Sequence, residues 1–173
     1  MNDHLANIAV ETPVGIFRML TYTQKNTEFV VAAGFSEAAE LQARLAEPLQ
    51  SLHIEKTQTD HPYARKIKQY FAGALSVLSI IPHTQSGSVF SQAVWQTLET
   101  IPAGETISYG ELARRSGQGA AVRAAGTACG KNHIILIVPC HRVIKSNGEV
   151  GSYLYGSDTK AWLLKHEANT GER

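Results

Sequence analysis

Residues 108–131 read SYGELARRSGQGAAVRAAGTACGK, and the fold of the second half of the chain turns on them. Ser108 is a natural N-cap for YGELARRSG, a short helix that Gly117 ends. Past the tight GQG turn, AAVRAAGTACG predicts a second short helix, rich in small residues and carrying Arg123. Two short helices joined by a glycine turn are the pattern of a helix-turn-helix, whose second helix enters a DNA groove. Such a pair is common in helical domains, but local charge strengthens the reading. From Ser108 to Lys145 the basic residues are Arg114, Arg115, Arg123, Lys131, Arg142 and Lys145, against the single acid Glu111. This stretch carries +5, whereas residues 1–84 hold seven basic and eight acidic residues, so the formal net charge of +1 hides a local electropositive segment suited to phosphate contacts. An ordinary solvated face is the alternative on charge alone.

The chemistry lies just downstream, where Asn132 to Ile144 reads NHIILIVPCHRVI. Ile134 to Val138 is apolar enough for a buried strand or extended core segment. Pro139 removes a backbone donor and ends any regular ladder just before the thiol. Cys140 therefore stands at the end of a rigid stretch, followed at once by His141 and Arg142. A thiol nucleophile acts as its thiolate, which a nearby histidine or arginine favours and which a carboxylate assists by fixing the histidine's tautomer. The helix opening at Asp158, DTKAWLLKHEAN, supplies Glu167 as that carboxylate, although sequence spacing does not place it beside His141. The residues alone leave open a buried structural thiol, the common fate of a lone cysteine after an apolar run. No metal ligands are expected, because Cys140 and His141 are adjacent and no second pair lies at ligand spacing.

Upstream, Ser88 leads into VFSQAVWQTLETI, where Phe90, Val94, Trp95 and Leu98 make an apolar stripe and Pro102, Ala103 and Gly104 stop the helix. The Pro-, Gly- and Ser-rich break Ile81 to Ser88 divides the chain into expected domains over 1–84 and 85–173. In the first, Gly15 to Tyr22 and Glu28 to Ala33 flank a polar turn at Gln24, Lys25 and Asn26, a hairpin signal. Ser36 is expected to cap a helix over SEAAELQARLAEPL, and Asp60 to open another, DHPYARKIKQYFAGAL, with Ile67, Tyr70, Phe71 and Leu75 on its apolar face. The first half thus reads as a small α/β unit, with its histidines scattered singly.

Length and composition fit this division. The 173 residues, 43% hydrophobic and 18% charged, suffice for one ordinary domain or two small ones with a real core. Two cysteines, Cys129 and Cys140, are too few for a disulfide scaffold, which favours reduced thiols in a cytosolic setting. The opening MNDHLANIAVETPVG lacks a basic start and apolar run, and no segment approaches a membrane span. A soluble, cytoplasmic monomer with no membrane partner is expected, nucleoid-associated in use if bacterial.

The string Pro139, Cys140, His141, Arg142, Val143 resembles the active-site signature of the O6-alkylguanine-DNA alkyltransferases, or methylated-DNA-protein-cysteine methyltransferases. VWQTLETIPAGETISYGELA (Val94 to Ala113), VRAAGTACGKN (Val122 to Asn132) and KAWLLKHE (Lys160 to Glu167) are similar to family segments in order and spacing. The resemblance covers residues 88–168; over the first half it rests on size and α/β character. It implies an α+β chain, with an N-terminal RNase H-like domain and a mainly helical C-terminal domain whose helix-turn-helix is winged-helix-like. It further implies direct-reversal repair without a cofactor: the protein binds duplex DNA, flips out O6-methylguanine, or less efficiently O4-methylthymine, and moves the alkyl group irreversibly to its own cysteine. Flipping is needed because the reacting atom lies inside the stacked duplex.

By this resemblance Cys140 is the acceptor, His141 takes its proton through a bound water, and Glu167 orients and charge-stabilises His141. Tyr109 donates a hydrogen bond to the guanine ring, and Asn132 braces the turn that leads to the active-site segment. Arg123 enters the stack in place of the flipped nucleotide. Ala124, Ala125, Gly126 and Ala128 allow close approach to a minor groove, and Arg114, Arg115 and Lys131 are expected to contact phosphates. Cys129, Val143, Tyr153, Leu154 and Tyr155 are expected around the substrate pocket. Leu154 and Tyr155 depart from the small residues of many relatives, which should narrow it. The cysteines of the zinc-bearing domain fused to some bacterial relatives are absent. The competing readings are a non-catalytic lesion-binding relative, against which Cys140 argues, and a helix-turn-helix regulator, which leaves the Cys-His-Glu set unexplained. A thiol hydrolase would need an oxyanion hole that the sequence does not supply.

Overall fold

In the computed structural model, which describes residues 3–170, the chain opens with four strands: β1 (His4–Thr12), β2 (Gly15–Gln24), β3 (Thr27–Gly34) and β4 (His53–Gln58). Residues 1, 2 and 171–173, at the outer ends of the two expected domains, lie outside the described residues. The sheet order is β3-β2-β1-β4, antiparallel except for the β1–β4 pair. The β2–β3 hairpin forms where its turn residues predicted it. Lys25 and Asn26 both adopt positive φ, 48° and 64°, the backbone that lets a two-residue turn match the twist of its strands. β1 and β4 left no such mark. β1 is interior to the sheet and buried from Asn7 to Val10, so it shows no alternation, whereas β4 is a polar edge.

The expected helix over residues 36–49 is cut to α1 (Ala38–Gln42), with Glu37 and not Ser36 at its N-cap. Pro48 has no N–H and disfavours helical backbone at Glu47, so the chain turns earlier, through Arg44 N–H to Leu41 O and Leu45 N–H to Gln42 O. The Gln42 amide then donates to the carbonyls of Leu49 and Leu52 at 3.2 and 2.6 Å. Leu41 and Leu45 still reach the core, packing with Leu5, Leu20, Val31 and Ala32. α2 (Pro62–Phe71) is capped by His61 and not by Asp60: His61 Nδ1 accepts from Tyr63 N–H at 3.1 Å. Gly73, at φ 110°, ends it before Leu75, which falls in a 3-10 stretch. Ile67 and Tyr70 are buried as expected, while Phe71 and Leu75 are half-buried.

Ile134 to Val138 is buried, but it is not a strand. Leu136 sits at φ 68°, which breaks the extended backbone, and among the described residues the segment joins the sheet through an isolated bridge from Ala33 to Ile134. Ala33 N–H donates to His133 O at 2.8 Å, and Ile135 N–H donates back to Ala33 O at 3.0 Å. Residues 133–137 consequently belong with the first 86 residues, not with the domain expected over 85–173.

The second unit, 87–132 with 138 onward, is mainly helical. It comprises α3 (Val89–Glu99), β5 (Ile107–Ser108), α4 (Tyr109–Arg115), α5 (Val122–Lys131), β6 (Val143–Ile144) and α6 (Ser157–Thr170). Ser88 caps α3, its Oγ accepting from Ser91 N–H at 3.1 Å, and Ser108 caps α4 in the same way through Glu111 N–H. Val94, Trp95 and Leu98 face inward, and Trp95 Nε1 donates to Ala128 O at 2.9 Å, tying α3 to α5. Gly117, at φ 89°, makes the break between α4 and α5. β5 and β6 pair in parallel, Ile107 with Val143 and Ser108 with Ile144. Among the described residues no helix is long and apolar enough to cross a membrane.

Candidate active site

Lys160, Leu163 and Glu167 are the buried residues of α6, and their spacing of three and four puts them on one helix face. Glu167 is completely buried. Its Oε1 accepts from His141 Nε2 at 2.8 Å and from Arg142 Nη2 at 2.9 Å; its Oε2 accepts from Arg142 Nε at 3.0 Å and from Gly104 N–H at 3.3 Å. Burial pushes this carboxyl's pKa up, but the hydrogen bonds and charges of His141 and Arg142 outweigh it and hold the group well below the usual carboxylate range. An ionised carboxylate only accepts hydrogen bonds, so His141 Nε2 carries the proton. Burial also lowers the histidine's pKa, as do the cations Arg142 and Lys160, against the opposing pull of Glu167. The imidazole is therefore neutral, its buried Nδ1 has no protein hydrogen-bond partner, and that nitrogen bears a free lone pair.

Cys140, His141 and Arg142 form a buried 3-10 turn directly before β6. Asn132, also buried, donates from Nδ2 to Val138 O at 2.8 Å, just before Pro139 and Cys140. Neither cysteine is in a disulfide. The Cys129 thiol is pushed far up, first by burial and then by Cys140, so it stays protonated. Tyr109, the first residue of α4, lies against α5: a Cβ at Gly126 would come within 3.8 Å of its ring. Burial, followed by the neighbouring Cys129 and Cys140, raises its phenol to about 12 and keeps it a hydrogen-bond donor. Lys160 donates to Ser152 O at 3.2 Å and reaches the Tyr109 oxygen at 3.5 Å. Gly151, at φ 81°, lets the following loop pass close to both groups.

The remaining expected residues divide by exposure. Val143 is buried in β6, and Tyr153 is half-buried against the edge of Tyr155, with ring centroids 6.1 Å apart. Leu154 is 54% exposed, so its side chain does not form an enclosed wall, and any narrowing falls to Tyr155. Arg123, Ala124 and Lys131 lie on the exposed side of α5. Ala125 does not: it is fully buried beneath the helix, where it packs instead of presenting its side chain outward. Arg114 and Arg115 are exposed but held by Glu111 at 2.7 and 2.6 Å, and these hydrogen bonds lower the Glu111 carboxyl to about 2. Lys145 pairs with Glu149. Among the described residues no group of three or more His, Cys, Asp or Glu could hold a metal ion.

Residues 89–169 match the family described as 6-O-methylguanine DNA methyltransferase, DNA binding domain. The methylated-DNA–protein-cysteine methyltransferase of Methanosarcina acetivorans is 40% identical over 116 residues, covering 67% of this chain and 74% of that protein. This chain belongs to the methylated-DNA–protein-cysteine methyltransferase family. A Shigella flexneri protein of the same name is 47% identical over 102 residues, but the match spans only 60% of its length. Mycobacterium tuberculosis O6-methylguanine methyltransferase superposes with a TM-score of 0.76 at 29% identity, covering 96% of this chain and 94% of that one. The structure of Mycobacterium tuberculosis OGT in complex with DNA superposes with a TM-score of 0.78 at 30% identity, covering 95% and 94%.

Two features of this candidate site were missed in the sequence: the buried Lys160 and the Arg142–Glu167 pair. The available signal was a lysine and a glutamate on the inward stripe of α6, seven residues apart with Leu163 between them. The site also predicts acid sensitivity. His141 has a folded pKa below its ordinary 6.5, so between the two values the unfolded chain binds a proton that the folded chain refuses, and stability falls as pH drops through 6.5. Glu167 adds a second loss only below its ordinary 4.5. The urea midpoint should therefore decline from about pH 8 to about pH 5, and His141→Gln should flatten that decline. A midpoint constant over this range in the unaltered protein contradicts the assignment.

Proposed function

We propose that this chain repairs DNA by binding duplex containing O6-methylguanine, and less efficiently O4-methylthymine, and transferring the alkyl group once and irreversibly to Cys140. The observation that carries the reading is a buried thiol followed by a neutral histidine whose Nε2–H is fixed on Glu167 and whose Nδ1 is free to take a proton. His141 takes the thiol proton, and the thiolate attacks the alkyl carbon. The S–C bond forms as the C–O6 bond breaks, and the electron pair leaves on the guanine. Tyr109, kept protonated, donates to the departing ring, and the Lys160 ammonium behind it favours that donation. No step releases the alkyl group from sulfur, so each chain acts once.

DNA engagement follows from the exposed side of α5. Arg123 fills the stack after flipping, Ala124 permits close approach and Lys131 meets a phosphate, while Gly126, whose open side faces the Tyr109 ring, lets α5 pack close to Tyr109. Arg114 and Arg115 contribute less charge, because Glu111 already holds them. In this reading α4, α5 and the β5–β6 ladder make a winged-helix-like element, and the first unit is RNase H-like. The chain is taken to act as a cytoplasmic monomer.

With duplex carrying label in the O6-methyl group, no more than one label per chain should transfer, onto Cys140, and Cys140→Ala should abolish transfer. Label remaining wholly on DNA would mark a non-catalytic lesion binder or a regulator and reject the proposal. Tyr155 should also narrow the pocket: free O6-benzylguanine should inactivate the protein poorly, and Tyr155→Gly should restore sensitivity. Equal inactivation of the unaltered protein by O6-benzylguanine and by O6-methylguanine at one concentration would refute the narrowing.

A further inference from the structure

Arg142 is a buried cation for which alkyl transfer, as derived above, has no direct use. It nonetheless makes three side-chain hydrogen bonds in the site, two in a fork to Glu167 at 3.0 and 2.9 Å and one from Nη1 to Ile101 O at 2.6 Å. Ile101 lies just past α3, so the guanidinium fastens the Cys140–Arg142 turn to that helix end as well as to α6. Lysine, with one point charge and no planar fork, cannot make this set of contacts.

A histidine hydrogen-bonded to a buried carboxylate faces a conflict. The negative charge that orients the ring also favours the imidazolium, and an imidazolium cannot accept the thiol proton. The charged groups acting on His141 are Glu167 and Lys160 from α6 and Arg142 from its own turn, where the titratable Cys140 is its chain neighbour. Here two cations face one carboxylate, and one of them, Arg142, lies directly on it. We propose that Arg142 is a positioning residue that offsets the Glu167 charge, so that Glu167 can orient His141 without protonating it, and that also anchors the turn presenting Cys140. The inference rests on the reading of Cys140 as alkyl acceptor and His141 as its base.

The test is the pH dependence of single-turnover methyl transfer from O6-methylguanine duplex, measured for the unaltered protein, Arg142→Met and Arg142→Lys. The unaltered protein should lose rate only below about pH 6.5, the ordinary histidine value. Arg142→Met should move that acidic limb upward by about 1–3 pH units, the range expected when a neighbouring charge is removed, with rate recovering at higher pH. Arg142→Lys keeps the cation and should keep the limb near its original position at a lower rate. A uniform loss at every pH in Arg142→Met, which a merely structural role would give, overturns the inference. If that variant does not fold, a lysine limb displaced upward like a lost charge overturns it, as does an unaltered protein whose limb already lies above pH 7. An unaltered protein that transfers no methyl at any pH defeats the functional reading itself, whereas normal transfer with an unmoved limb defeats only the role of Arg142.

Discussion

Glu167 lies wholly out of water, and an isolated carboxylate in that position costs several kcal/mol unless charge and hydrogen bonds offset it. The protein offsets it with His141, Arg142 and the Gly104 amide, drawn from the active-site turn and from the loop after α3. Burial and satisfaction together make this a demanding node: removing one partner leaves another charged group stranded in a dry interior. The same constraint fixes the chemistry. With Glu167 ionised, the tautomer of His141 has no freedom, and its basic nitrogen is Nδ1.

A second constraint is the short parallel ladder of β5 and β6. It joins the strand that runs into Tyr109 with the strand that leaves the Cys140 turn. Two pairs of residues therefore bring the Tyr109 phenol and the Cys140 thiol together from distant parts of the chain. Trp95, bonded to Ala128 O, and Asn132, bonded to Val138 O, hold α5 and the entry to the turn in place. The helix proposed to meet DNA and the thiol proposed to react are thus held by contiguous bonds, so that docking the one locates the other.

The site was more legible than the fold. Ser88, Ser108, Gly117 and the Lys25–Asn26 turn each announce a local structure through a side-chain oxygen or a positive φ, and each element appears where its signal lies. β1 was not legible because an interior strand has no alternation, and β4 because a polar edge strand resembles a loop. The helix after Ser36 looked long because Leu41, Leu45 and Leu49 keep helical spacing; a single proline, acting on the residue before it, outweighed that spacing. Ile134 to Val138 has the composition of a strand, but Leu136 takes a positive φ, which no residue type in that stretch signals. Cys140 and His141 were readable from adjacency. The Arg142–Glu167 bond, 25 positions apart in the chain, depended on the fold bringing α6 across the turn.

The protonation state of His141 in the resting protein is the quantity on which the account stands or falls. Nitrogen-15 NMR of the imidazole at neutral pH reads it directly, with the two ring nitrogens resolved. Nε2 should be protonated and Nδ1 bare, bearing its lone pair. An imidazolium with both nitrogens protonated, or a tautomer with the proton on Nδ1, would contradict it.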